Sequence, residues 1–140
     1  MTPGTILICA ALAMSDADSG RCHTVAGENI RIRLQGVDAG EASPFTRCRQ
    51  SPAVWACSPV ARATGGEATR RARALTTNGA RCTVVNQDRY RRIVARCTVN
   101  GRDLGSILVR EGLAISETSF GDPYRSEERA ARQERRGVWE

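Results

Sequence analysis

IRIRLQGVDAGE, residues 30–41, is the stretch on which the reading of this chain turns. Ile30, Ile32 and Leu34 alternate with Arg31, Arg33 and Gln35, so a strand here sends its apolar side chains to one face and its arginines to the other. Gly36 permits the strand to break or bulge, and two carboxylates follow at Asp38 and Glu41. One short segment thus carries a guanidinium and two carboxylates to a strand end, the equipment with which hard cations and phosphates are handled. A solvated strand edge with an ordinary Arg–Asp pair uses the same residues. The rest of the chain decides between them.

Upstream, residues 5–14 (TILICAALAM) are apolar enough for a buried strand or for the core of a signal peptide. No positive charge precedes them and a polar turn follows almost at once, so a strand is expected. DADSG (16–20) reads as a turn with two aspartates, of which Asp18 has the character of a turn-capping residue. The segment from Arg21 to Leu34 then forms two strands folded about Ala26–Gly27. His23, the only histidine, fills a strand position.

Downstream, residues 42–64 have no clean period and read as a long loop. Ala68, Ala72 and Leu75 share a helical face between Gly66 and Asn78. Residues 82–97 form a hairpin turning at Asp88–Arg91. Asp103 caps a second helix whose Leu104, Ile107 and Leu108 face the core and which Gly112 ends. Asp122–Pro123 opens a third helix with Glu128 and Arg132 at an i,i+4 spacing, Gly137 stops it, and Val138–Trp139 folds back as an apolar plug. Five short strands with a helix after the third match the five-stranded barrel of the OB fold, an α+β architecture with three helices in a single domain, 1–140.

Composition narrows the function. The net charge is +6, every basic residue is arginine, and such a balance suits a polyanionic partner. With two each of Trp, Tyr and Phe, extensive base stacking has few platforms. No apolar run approaches the ~20 residues of a membrane span. Six cysteines form no CxxC pair, which weighs against zinc. The two hairpins instead set Cys9 near Cys22 and Cys82 opposite Cys97, leaving Cys48 and Cys57 to close a small loop. Such bridges imply an oxidising compartment, secreted or periplasmic; buried free thiols are the alternative.

Taken together, DADS (16–19), RLQGVDAGE (33–41), DRYRR (88–92), DLGSILVREGLA (103–114) and RRGVW (135–139) resemble, in order and spacing, the motifs of the thermonuclease (staphylococcal nuclease-like) family. The resemblance runs over nearly the whole chain. It implies a calcium-dependent endonuclease that hydrolyses DNA and RNA, single-stranded or locally open, with little sequence selectivity, leaving 3′-phosphate ends and acting as a monomer. It puts the calcium-binding aspartates on Asp18 and Asp38, with a backbone carbonyl from Ala39. The catalytic glutamate falls on Glu41, the phosphate-binding arginines on Arg33 and Arg92, and a nucleotide-contacting tyrosine on Tyr90. A later tyrosine pair falls near Thr118 and Phe120. Gly27–Glu28–Asn29 offers a second placement for the first motif; the gap to Arg33 favours Asp18.

Three positions depart from the pattern. Ala17 stands where the family has glycine and would strain its turn if that position needs positive φ. Gly40 replaces a proline ahead of Glu41, and Arg91 replaces a glycine beside Arg92. The alternative these departures support is a catalytically lapsed OB module that binds nucleic acid or protein.

Overall fold

Alternating burial builds the sheet. The computed structural model describes residues 1–39, 49–51, 54–55, 59–117 and 121–140, with side chains described outside 40–63 and 118–120. The elements run β1 (Ile6–Asp16), β2 (Ser19–Thr24), β3 (Asn29–Leu34), β4 (Val37–Asp38), β5 (Arg49–Ser51), β6 (Val54–Trp55), α1 (Pro59–Leu75), β7 (Ala80–Gln87), β8 (Ile93–Val99), β9 (Arg102–Asp103), α2 (Leu104–Arg110), β10 (Ile115–Ser116) and α3 (Arg125–Gln133), closing on a 3₁₀ turn at Gly137–Trp139.

The main sheet has the order β3-β2-β1-β7-β8-β9, and a parallel pairing of β3 with β8 (Ile32↔Ile93, Leu34↔Ala95) closes five of its strands into a barrel. Strand β1 serves two partners, β7 through Ile6–Cys9 and β2 through Cys9–Asp16. A register shift between Cys9 and Ala11 separates these halves and moves the buried set from Leu7 and Cys9 to Leu12 and Met14. One bulged residue thereby bends a long strand around the barrel corner. Ile32, Leu34, Val84, Ile93 and Ala95 fill the interior, and Leu104, Ile107 and Leu108 of α2 close one end.

Asp103 caps α2 as its position suggested, accepting from Ser106 N at 2.9 Å. Gly112, at φ +74°, ends that helix, with Leu113 N–H returning to the Leu108 carbonyl. The buried Tyr124 packs on Gly105 and donates to the same Asp103 carboxylate at 2.8 Å, which fastens α3 to α2. Burial first, then the Asp103 charge and hydrogen bond, push the Tyr124 hydroxyl pKa well upward.

Several boundaries differ from expectation. Helix α1 starts at Pro59, not Gly66, so the last part of the expected 42–64 loop is helical; proline is tolerated at a first helical position because its missing N–H has no partner there. Helix α1 also ends at Leu75 rather than Asn78, where the Thr76 and Thr77 hydroxyls bond back to the Ala72 and Ala74 carbonyls. Helix α3 begins at Arg125 and is already over at Gln133, with the chain reversing through Arg135 (φ +50°) before Gly137. Val138 and Trp139 are half-buried rather than a sealed plug, and Arg132 covers the Trp139 ring at 4.0 Å.

Candidate active site

The polar residues around Arg33 gather where β3 runs out. Gly36 adopts φ +78°, and a side chain there would run into Pro123. The strand therefore breaks and restarts as β4, which pairs with β10 (Ile115↔Asp38, Ser116↔Val37). This short ladder fixes the backbone of Asp38. Two-residue strands carry no period, and nothing in the sequence marks β10.

Asp18 sits in the turn from β1 to β2. Its N–H is held by Asp16 Oδ1 at 3.2 Å, and its carbonyl accepts Leu34 N–H at 2.9 Å. The side chain is wholly buried: Oδ1 accepts from Ser19 Oγ at 2.9 Å, Oδ2 accepts from Ala39 N at 3.0 Å, and Arg33 Nη1 lies 3.5 Å from Oδ2. The other arm of that guanidinium, Nη2, lies 3.8 Å from Asp38 Oδ1, whose side chain is 46% exposed. Arg33 thus stands between both aspartates. Glu28, the alternative first-motif carboxylate, is exposed in the turn at the far end of β3. Ala17 is wholly buried and does not have positive φ, so the anticipated strain is absent.

Arg92 enters from the β7–β8 hairpin. Asp88 organises that turn, accepting from the backbone N–H groups of Tyr90 and Arg92 at 2.9 Å each and from Arg92 Nε at 2.8 Å. Burial alone would raise the Asp88 carboxyl; the Arg92 and Tyr90 hydrogen bonds and the Arg92 charge outweigh it and hold the pKa below the usual carboxylate range. Arg92 Nη1 approaches Ser19 Oγ at 3.5 Å, which completes a polar chain from Asp38 through Arg33, Asp18 and Ser19 to Arg92. Tyr90 is 55% exposed, with the Arg89 and Arg92 guanidinium carbons 4.9 and 5.6 Å from its ring centroid. Arg91 takes φ +65°, a left-handed conformation that favours glycine.

A groove of about 210 Å³ lies among these groups, lined by Arg33, Arg92, Tyr90, Asp88, Gly36 and Glu117 with others. The sequence-based site assignment left out Asp88 and Glu117, which line this groove, and Ser19, which joins Asp18 to Arg92. The DRYRR motif contained Asp88 all along, whereas no local signal singles out Glu117. Glu41, Gly40, Thr118, Phe120 and the Cys48–Cys57 pair lie outside the described residues.

Residues 31–140 match the family described as Staphylococcal nuclease homologue. The chain belongs to that family. Relatives include two proteins described as probable endonuclease LCL3, from Scheffersomyces stipitis (31% identical over 128 residues) and Clavispora lusitaniae (32% over 124 residues). Each comparison covers 80% of this chain and 48% of the relative, so the chain spans about half the length of the curated relatives it matches. Arg91, where the resemblance expects glycine, takes a positive φ of the kind glycine favours.

The donor chemistry around Asp18 and Asp38 suits a hard cation. Both offer carboxylate oxygens, they converge on one cationic group, and Asp38 is open enough to admit further oxygen ligands. Among the described residues no group of three or more His, Cys, Asp and Glu converges as a metal cluster. A calcium site here therefore needs further oxygens from backbone, water or substrate.

Proposed function

We propose that this protein is a calcium-dependent nuclease hydrolysing phosphodiester bonds of DNA and RNA, single-stranded or locally open, with little base selectivity and leaving 3′-phosphate ends. The observation that supports this reading most is the polar chain from Asp38 to Arg92, which brings two carboxylates and two arginine forks beside one open groove. In this reading Arg33 and Arg92 grip the non-bridging phosphate oxygens, which their planar donor sets match. Glu41 takes the proton from the attacking water. The water oxygen joins phosphorus, the bond to the 5′ oxygen breaks, and that oxygen picks up a proton from solvent. Asp18, Asp38 and the Ala39 carbonyl would hold calcium, which when bound supplies Lewis-acid polarisation of the phosphate. Tyr90 offers a face to the nucleotide, and contacts dominated by phosphate account for weak base selectivity. The protein acts as a monomer in an oxidising compartment, secreted or periplasmic, an environment with which its disulfides are compatible.

One observation favours the rival, a lapsed OB module: Ser19, Ala39 and Arg33 already engage the enclosed Asp18 carboxylate. Digestion of single-stranded and plasmid DNA, with calcium and then with chelator, separates the two. Cleavage in calcium that stops on chelation is expected. Glu41→Gln should lower kcat by ~10²–10⁴ while leaving oligonucleotide affinity nearly unchanged. Wild-type protein that binds DNA in calcium but never cuts it would establish the rival.

A further inference from the structure

Beyond the Arg33–Arg92 groove, on the outward face of β2 and β3, the charges are arranged in a way that folding alone does not favour. Strand register sets Ser19 opposite Arg33, Arg21 opposite Arg31 and His23 opposite Asn29, all pointing away from the core. Like charges directly opposed across antiparallel strands repel. Among the described residues neither Arg21 nor Arg31 forms an ion pair with a carboxylate: Arg21 Nη1 reaches Asn29 Oδ1 at 3.4 Å, and Arg31 Nη1 reaches the Tyr90 carbonyl at 3.3 Å. The helical side of the molecule behaves differently. There Arg71, Arg110 and Arg132 are each paired with a glutamate at 2.8, 3.1 and 3.5 Å.

A groove of about 640 Å³ lies against this pair, and Arg92 lines both it and the smaller groove beside Arg33. Small residues of β1 line the larger groove, Ala13 opposite Arg21 and Ser15 beyond it. Three arginines line it against one carboxylate, Asp16. Along β3, Arg33 and Arg31 are two residues and so about 6.8 Å apart. Successive phosphates of one extended strand can therefore meet successive arginines.

We infer that the Arg21–Arg31 pair is a second phosphate-binding subsite, taking the backbone of the same single strand as it leaves the Arg33–Arg92 groove. The inference rests on the nucleic-acid reading above. A shared phosphate converts the cross-strand repulsion into a bidentate clamp, and the small β1 residues leave room for a sugar–phosphate chain without reading bases. The subsite makes the protein prefer polymers over minimal substrates.

The test uses the whole protein and its Arg21→Gln/Arg31→Gln variant in chelator, with fluorescein-labelled oligothymidylate of about twelve nucleotides and a labelled dinucleotide as probes. Arg21 and Arg31 share one phosphate, and each lost phosphate removes about 0.7 from the slope of log affinity against log salt for single strands, so the variant's slope should be shallower by about 0.7 and its low-salt affinity roughly tenfold weaker. Dinucleotide affinity should stay the same, Arg21→Lys/Arg31→Lys should keep the steep slope, and the glutamine variant should melt no lower than wild type. An unchanged slope, or equal loss on the dinucleotide, overturns the subsite. Hydrolysis of a small chromogenic thymidine phosphodiester in calcium reports separately on the nuclease reading. Failure there leaves the slope comparison to decide the subsite by itself.

Discussion

Arg33 has two duties, and they can be told apart. Its guanidinium is the cation facing the wholly buried Asp18 carboxylate, so removing it leaves a charge enclosed without its counter-ion. Breaking one side of such a pair costs about 3–5 kcal/mol. Arg33→Ala should lose stability of that order in urea denaturation as well as activity, whereas Arg33→Lys should keep most of the stability and lose mainly rate, because a point charge cannot reproduce the fork. Arg33→Ala as stable as wild type would show that Ser19 and Ala39 satisfy Asp18 alone. Arg91 poses the opposite case. At φ +65° a non-glycine residue is strained by about 1–2 kcal/mol, while glycine costs about 0.5–1 kcal/mol in unfolded-state entropy. Arg91→Gly should therefore be neutral to about 1 kcal/mol stabilising. A clear drop in melting temperature would mean that the Arg91 side chain makes a contact worth more than its backbone strain.

At the scale of the element, the β7–β8 hairpin is a device for aiming Arg92, and Asp88 is its fastening. Folding lowers the Asp88 pKa, so its contribution to stability is complete above the unfolded carboxylate value near 4 and is lost as pH falls through the lower folded value. Asp88→Asn should cost about 1 kcal/mol near neutrality through weaker hydrogen bonds to Arg92 and Tyr90. Its deficit relative to wild type should shrink below about pH 4, measured by thermal melts across an acid series. A deficit that does not change with pH would mean that the carboxylate's charge is not what holds the turn.

At the scale of the molecule, two disulfides among the described residues staple the barrel. Cys9–Cys22 joins β1 to β2, Cys82–Cys97 joins β7 to β8, and the bridges touch, with Cys9 Sγ 3.8 Å from Cys82 Sγ. Closed loops of 13 and 15 residues each constrain the unfolded chain by about 3 kcal/mol in the loop-entropy account. Peptide mapping without reduction should recover both pairs, and Cys82→Ala/Cys97→Ala should lose about that much stability. Crossed pairing of Cys9 with Cys82 would overturn the two bridges within the β1–β2 and β7–β8 hairpins. No helix among the described residues is long and apolar enough to cross a membrane.

Local pattern was enough for much of this protein. Alternation in Ile30–Leu34 made a strand with arginines outward, Asp103 and Gly112 bracketed a helix, and the hairpin brought Cys82 and Cys97 close, with a register shift between Val84 and Asn86 setting them directly opposite. Cys9 and Cys22 were less legible: the register sets Cys9 opposite Thr24, and the bulge after Cys9 brings the bridge within reach at a Cα separation of 5.2 Å. The motifs named Asp18, Arg33, Asp38 and Arg92 as partners, yet their order of contact is a property of the closed barrel. Parallel pairing of β3 with β8 carries Arg92 to Ser19, 73 residues away in sequence, and β10 fixes Asp38. Sequence by itself determined which groups are charged and which face of each strand they occupy, because those follow from periods of two and 3.6 residues. Only the tertiary structure decided that Asp18 is enclosed, that Arg33 stands between both aspartates, and that Arg21 and Arg31 face each other across β2 and β3, because those depend on contacts between segments distant along the chain.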